Sequence, residues 1–560
     1  MDKQLPFLTT AWSRLSLVLF MIGVILFGTM TLFLTHQFES DIFNSPDEVA
    51  NYYFTQQFEK NSNFFLTSPS EENLPQGVEP RSMLRVGANF IPVGFVGFPL
   101  FLGLAGKVIG MKALPYLLAA LSGLAVLAWY NLVKTIFGRR LGILSGFLLL
   151  IHPAYFFYSL RPFSPNIFFV NLLIFAAYLF TKILSFNRMS LSGSTSDAQA
   201  VIPLTEQAAS KRRFISFLFG FILSLAVAIR PSEIVWLGVG LIVILIIVRH
   251  ALKPFAFLFA FLGGLLPVAS VLYFQNLTYG SPLATGYPLT ASASRSLLYQ
   301  IKDTLFPFGL DLVNSWQIFS SYVVGIFWWL AVLALVGIVA AVMRWHNAPA
   351  SFRRKIQFWL LFVVCVTVWL TAFYGPWSIY DRLDKEVSIG TSFVRYFLPV
   401  YILFLPVAAY GVLRIMDVMG NKARIMIVIL VMAAVFLSLR IIFWGRDESL
   451  LAIWQTLEHN QEIRQKVLPM VSRQAIIITE RSDKIFFPYR EVMGRFRHPR
   501  EQELVRQLAR NHELWYETIF DRQAIMEENR DFWEPLGLRA DSSRSIGYGH
   551  TLYKLTKITP

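Results

Sequence analysis

The chain has 560 residues, 55% hydrophobic, 15% aromatic and 15% charged, with a mean hydropathy of +0.52. A soluble protein of this length carries more charge, so lipid is the solvent for most of it, and the single Cys365 excludes an intrachain disulfide or a thiolate metal cluster. The net charge of +15 does not point to nucleic acid: from Arg446 onward 18 basic and 17 acidic residues nearly cancel, and the remaining +14 sits mostly in short loops between apolar runs.

Runs long enough to cross about 30 Å of hydrocarbon lie at roughly 15-34, 113-134, 141-158, 165-185, 214-229, 232-249, 255-273, 319-343, 356-374, 394-413 and 424-444. The first follows Met1, Asp2 and Lys3 and has no small-residue cleavage site, which reads as a retained signal anchor. Basic clusters at Arg139-Arg140, Lys211-Arg212-Arg213, Arg249 with Lys253, Arg353-Arg354-Lys355 and Arg414 with Lys422 mark their loops as cytoplasmic. The loop at 37-90 holds eight acids against Lys60, Arg81 and Arg85 and is expected outside. Cys365 falls within a span, where a buried structural thiol is expected.

A further apolar stretch, Phe90 to Ile109, would break the alternation of loop charges if it crossed. It carries Pro92, Gly94, Gly97, Pro99, Gly103 and Gly106, which suits a helix lying in the interface. Eleven crossings then make the signs agree. The N-terminus is cytoplasmic, external loops lie at 37-112, 274-318 and 375-393, and the C-terminal residues 446-560 are external. The cell membrane is the expected location. The Ser/Thr-rich stretch 190-210 reads as a mobile cytoplasmic loop.

The strongest local signal is Ser45-Pro46-Asp47-Glu48-Val49-Ala50-Asn51-Tyr52-Tyr53. Ser45 can cap a helix starting at Pro46, with Asp47 and Glu48 in the first turn where the helix dipole favours anions. The same acids, just outside the bilayer, could instead take a proton from an acceptor hydroxyl or amine while a sugar leaves a membrane lipid. Both readings stand on the sequence. Arg81 and Arg85 are either interface anchors or phosphate ligands. His152-Pro153 and the stretch from Ser159 through Arg161 to Asn166 form a polar turn between spans or part of a cavity wall. Arg230-Pro231-Ser232-Glu233 and Arg395-Tyr396 open spans from outside, either snorkelling singly or sharing a polar cavity. Tyr279 through Tyr287 reads as a chain of turns in the second external loop.

In the tail, 447-470 has the pattern of an amphipathic helix, and Ala475-Ile476-Ile477-Ile478-Thr479 that of a buried strand, so a small α/β module is expected. No Walker A, HExxH or Gly-x-Gly-x-x-Gly pattern occurs, which leaves nucleotide-driven chemistry unsupported.

A span followed by Pro46-Asp47-Glu48 and a Tyr-rich helix, then a Pro/Gly-rich interfacial segment and a span-rich body, resembles the GT-C fold lipid-linked glycosyltransferases, above all the protein mannosyltransferase and aminoarabinose transferase branch. The layout covers nearly residues 1-445, and Asp47-Glu48 is its only compact motif. The resemblance implies an all-α, polytopic GT-C-like membrane domain of about 11 helices with external juxtamembrane helices, followed by the α/β domain at 446-560. It implies a polyprenyl-phosphate sugar donor, a glycan, lipid or protein acceptor, and inverting transfer with Asp47 as base and Glu48 as its helper. Arg81, Arg85 and Arg395 would meet the donor phosphate, and Arg161, Asn166, Arg230, Tyr287 and Tyr396 would line the cavity. Relatives often have an Asp where this chain has Asn166, so a second carboxylate and its metal are in question; no cofactor is required. A transporter or flippase, or a polymerase, of lipid-linked glycans is the alternative. A transporter would favour ionisable groups at mid-bilayer, whereas nearly all charges here lie at span ends.

Overall fold

The computed structural model describes residues 41–189, 206–248, 254–287, 308–346, 348–377, 387–419, 423–445, 448–494, 496–497 and 499–558. The expected span at 15-34, most of the 190-210 stretch, and the loop segments 288–307 and 378–386 lie outside these residues. The chain forms two compact units, one built on Pro115–Ser270 and Ser294–Leu450, the other on Thr35–Leu114, Val271–Ala293 and Leu451–Pro560.

The remaining ten expected spans are helical. Six helices are long and apolar enough to cross a membrane: Met111–Phe137, Pro165–Ser185, Ala209–Ile229, Pro254–Tyr279, Ala350–Tyr374 and Leu398–Val418. Two further spans are bent pairs, Arg139–Leu150 with Pro153–Ser159 at 56° and Leu312–Gly325 with Trp328–Met343 at 89°. Pro153 explains the first bend, since it lacks the N–H that would continue the ladder and instead starts the next helix behind an N-cap His152. The other two, Pro231–Ile247 and Ile429–Trp444, are shorter apolar helices, so the described residues hold six to eight spans by length. Gly97–Ile109 has 13 residues, about 20 Å of helix, too short to cross about 30 Å of hydrocarbon.

In the first unit, helices meet backbone to backbone where side chains are smallest. A Cβ on Gly337 would lie 2.0 Å from the Val407 carbonyl oxygen, and one on Gly411 2.4 Å from that of Leu333, so Trp328–Met343 and Leu398–Met419 cross without room for a methyl group. The outward faces stay apolar, with Val239, Ile246, Leu335 and Val368 among the exposed side chains. Cys365 is on such a face, exposed beside Leu361, Val364 and Val368, and not buried as expected. A helix with lipid for solvent has no need to hide its apolar side inside protein.

The second unit has two sheets. Strands β1 (Leu66–Thr67), β2 (Met83–Val86) and β3 (Asn89–Pro92) form an antiparallel sheet in the order β1-β3-β2. It follows the helix Pro46–Asn61, on which Gly97–Ile109 packs so closely that a Cβ on Gly103 would lie 2.8 Å from the Phe58 ring. In the tail, β4 (Ile476–Thr479), β5 (Glu491–Met493) and β6 (Leu514–Thr518) pair in parallel, and β8 (His550–Lys557) and β7 (Leu538–Gly547) extend the sheet antiparallel, in the order β5-β4-β6-β8-β7. Every residue of β4 is buried, as its apolar run predicts, and the expected amphipathic helix is Leu450–Val467.

The core of this α/β module, with Trp533, Ile476, Ile478 and Tyr516 at its centre, also takes in Leu74 and Val78 from the first loop. The boundary expected at residue 446 therefore does not separate two cores. Leu74 and Val78 of the first loop share one core with the tail, and ion pairs from Arg81 and Arg85 join the two as well.

Candidate functional site

In the second unit Asp47 and Glu48 have different surroundings. Ser45 caps the helix Pro46–Asn61, its hydroxyl accepting from Asp47 N at 3.3 Å, while Glu48 Oε2 accepts from Ser45 N at 3.1 Å. This is a capping box, and it occupies the buried Glu48. Asp47 is half-buried, and its Oδ1 accepts from the Ser82 hydroxyl at 2.7 Å. The helix-start reading thus describes Glu48, whereas Asp47 presents its carboxylate to a neighbouring loop.

Arg81 and Arg85 do not have the open geometry that a phosphate ligand needs. Arg81 gives its backbone N–H (2.7 Å), Nε (2.9 Å) and Nη2 (2.7 Å) to Asp483. Arg85 is fully buried; it pairs with Glu491, donates from Nε to Val78 O at 2.7 Å, and lies 4.4 Å over the Phe90 ring. Both guanidiniums join the first loop to the tail, and the donor contact expected of them is corrected accordingly. Asp41 does similar work. Burial opposes its charge, but the Arg464 guanidinium and the Tyr53 hydroxyl outweigh this and hold its carboxyl below the usual carboxylate range.

Tyr287, expected to line the cavity, stands 55% exposed with its ring 5.8 Å from that of Phe95. The turns before it grip the segment ahead of Gly97–Ile109: Tyr279 Oη donates to Pro92 O at 2.8 Å, and a Cβ on Gly286 would lie 2.5 Å from Val93 Cα.

In the first unit three expected cavity residues, Arg230, Tyr396 and Asn166, come together with Arg395, expected to meet the donor phosphate. Arg230 Nη2 donates to Glu233 Oε1 at 2.7 Å and to Tyr374 Oη at 2.8 Å, and Tyr374 Oη in turn donates to Glu233 Oε1 at 2.7 Å. Trp236 Nε1 donates to the other carboxylate oxygen at 2.6 Å. Tyr396 stacks on Tyr374 with ring centroids 4.3 Å apart, beneath Arg230 at 5.2 Å and Arg395 at 5.3 Å. Asn166 Nδ2 donates to Arg395 O at 3.3 Å, a contact that a carboxylate could not make. Arg161 lies apart from these contacts, over the rings of Phe157 and Tyr158 at 5.6 and 5.8 Å. Arg230 Nε is buried with no hydrogen-bond partner among the described residues. An orphaned guanidinium N–H beside a second arginine suits an incoming anion.

Sequence reasoning missed Ser82, Asp483, Tyr374 and Trp236 as parts of these clusters. Ser82, Asp483 and Tyr374 carry no local signal, since each acts through a partner from a distant segment, whereas Trp236 lies only three positions from Glu233. Among the described residues, no group of three His, Cys, Asp or Glu side chains could hold a metal ion.

With this geometry in place, comparisons with known proteins are informative. The structure is similar to ArnT from Cupriavidus metallidurans in the apo state, with a TM-score of 0.53 at 10% identity over 98% of both chains. Against the same protein bound to undecaprenyl phosphate the TM-score is 0.51, at 11% identity over 95% of this chain and 97% of that one. The chain has the GT-C fold. A weaker likeness links this GT-C chain to the archaeal oligosaccharyltransferase AglB from Archaeoglobus fulgidus, with a TM-score of 0.46 at 11% identity over 89% of this chain and 69% of that one. The dolichyl-phosphate-mannose-protein mannosyltransferase family matches residues 92–194, the part of the GT-C chain that contains the His152-Pro153 bend and Asn166. No curated protein sequence matches the chain.

Proposed function

We propose that this GT-C chain is a membrane glycosyltransferase that moves a sugar from a polyprenyl-phosphate donor to a hydroxyl or amine acceptor on the external face of the cell membrane. The observation that carries the reading is the fold, shared over 98% of both chains with ArnT, a protein also crystallised with undecaprenyl phosphate. Asp47 is the base. It takes the acceptor's proton as the acceptor oxygen or nitrogen bonds to the anomeric carbon; the bond from that carbon to the phosphate oxygen breaks, and the electron pair leaves with the polyprenyl phosphate. Glu48 serves by fixing the helix that carries Asp47. Within the first unit, Arg395 and Arg230 offer the positive charge that binding a donor phosphate needs.

The test is to give the purified full chain, in lipid nanodiscs, a panel of undecaprenyl-phosphate sugars labelled in the sugar, together with envelope glycans, lipids and peptides as acceptors. The expected result is label on an acceptor and release of undecaprenyl phosphate. Translocation of the intact donor with no loss of sugar would replace this reading with that of a flippase.

A further inference from the structure

Asp47 is joined to the α/β module through one turn. Residues Pro80 to Met83 form a four-residue turn closed by Met83 N to Pro80 O at 3.3 Å, and Ser82, its third residue, has φ 65°. That left-handed position favours glycine, and a side chain stays there only when its surroundings over-determine it. Here they do. Val93 N donates to Ser82 O at 3.3 Å, and the preceding Arg81 is held at three nitrogens by Asp483, whose side chain is 1% exposed. Arg81 Nη2 also donates to Arg481 O at 2.6 Å. What sets Ser82 apart from a glycine suited to this turn is its CH2OH group: the Cβ carries the strain, and the hydroxyl donates to Asp47 Oδ1 at 2.7 Å.

We propose that Ser82 and Asp483 are positioning residues for Asp47: Asp483 fixes Arg81, Arg81 fixes the turn, and Ser82 presents its hydroxyl to the Asp47 carboxylate. The hydroxyl sets the plane of the carboxylate and so orients the base toward the proton it accepts. The α/β module thereby has a task in the reaction, since it supplies the anchor that keeps a strained serine in place. This rests on the reading of Asp47 as base, and its test is independent of any substrate.

Carbodiimide coupling of an amine to Asp47, read by peptide mass spectrometry on the full chain in nanodiscs, reports how firmly that carboxylate is held. In Ser82→Gly, which relieves the backbone and does not endanger folding, the melting temperature is expected to hold or rise while labelling of Asp47 accelerates on the order of tenfold, the factor set by one hydrogen bond to a charged group. Asp483→Asn should accelerate it similarly. Glu491→Gln is the structural control: it breaks another contact between loop and tail, so its melting temperature falls, yet Asp47 labelling should stay within about twofold. Unchanged labelling in Ser82→Gly overturns the proposal, and labelling in Asp483→Asn no faster than in Glu491→Gln overturns the part assigned to Asp483. If Asp483→Asn does not fold, Ser82→Gly alone decides. Once a donor and acceptor are known, Ser82→Gly should lower kcat and leave KM in place; a chain with no transfer activity but accelerated labelling would contradict the enzyme reading and leave the positioning intact.

Discussion

Arg85 and Glu491 stand 406 positions apart and form an ion pair with side chains only 1% and 0% exposed. It fastens the strand β2 of the first loop to β5 of the tail sheet. Removing one partner strands a charge away from water, so Glu491→Gln should cost about 3 to 5 kcal/mol, while replacing both by apolar residues, Arg85→Met with Glu491→Leu, should cost far less. Denaturant unfolding of Glu491→Gln, of Arg85→Met and Glu491→Leu singly, and of the double variant checks this. Single losses that simply add in the double variant would show that the pair is not the fastening.

Acid should loosen the start of the first loop. Because Arg464 and Tyr53 hold the Asp41 carboxyl below its ordinary value of 3.8, its ionised form stabilises the fold fully above that pH. The contribution is lost as the pH falls through the depressed folded value. Amide exchange in the segment around Tyr53 is therefore expected to rise on acidification beyond its intrinsic pH dependence. Asp41→Asn, which lacks the titrating group, should exchange faster at neutral pH and lose that extra response. An equal acid response in the Asn variant would remove Asp41 from this role.

The donor phosphate offers a binding test. Undecaprenyl phosphate should raise the melting temperature of the full chain, and saturation at about 100 times Kd corresponds to about 2.7 kcal/mol. Arg395→Gln should weaken the apparent Kd by about tenfold to a hundredfold, the worth of a charge-assisted hydrogen bond. Arg81→Gln, whose guanidinium is engaged by Asp483, should lower the starting melting temperature and leave the ligand-induced shift nearly intact. The opposite ranking of the two variants would return the phosphate to the first loop.

The apolar helices were legible because long apolar runs are local signals. The same holds for β4, whose Ile476-Ile477-Ile478 run between polar neighbours is buried throughout, and for the Pro/Gly pattern that set Gly97–Ile109 apart from a crossing. Ser45 could be read as a cap, with Asp47 and Glu48 in the first turn, for the same reason; that Glu48 closes a capping box is what the structure adds. What stayed hidden depends on distance along the chain. Arg81 and Arg85 look like phosphate ligands until Asp483 and Glu491 come into view, 402 and 406 positions away. Glu233 has Arg230 close at hand, but Tyr374, which completes the cluster, lies 141 positions on at the end of another helix. Cys365 was misplaced because an apolar helix in lipid shows no periodicity that separates its protein-facing side from its lipid-facing one.

The claim on which the rest depends is that Asp47 takes the acceptor's proton. Asp47→Asn keeps the shape of the side chain and can still accept from Ser82, but it cannot act as a base. With a labelled polyprenyl-phosphate sugar and an acceptor used by the wild type, the Asn variant should transfer about 100-fold to 10,000-fold more slowly. Its thermal unfolding should move little, since loss of a helix-start charge costs about 0.3 to 1 kcal/mol. Transfer at the wild-type rate by a normally folded Asp47→Asn protein would contradict the account.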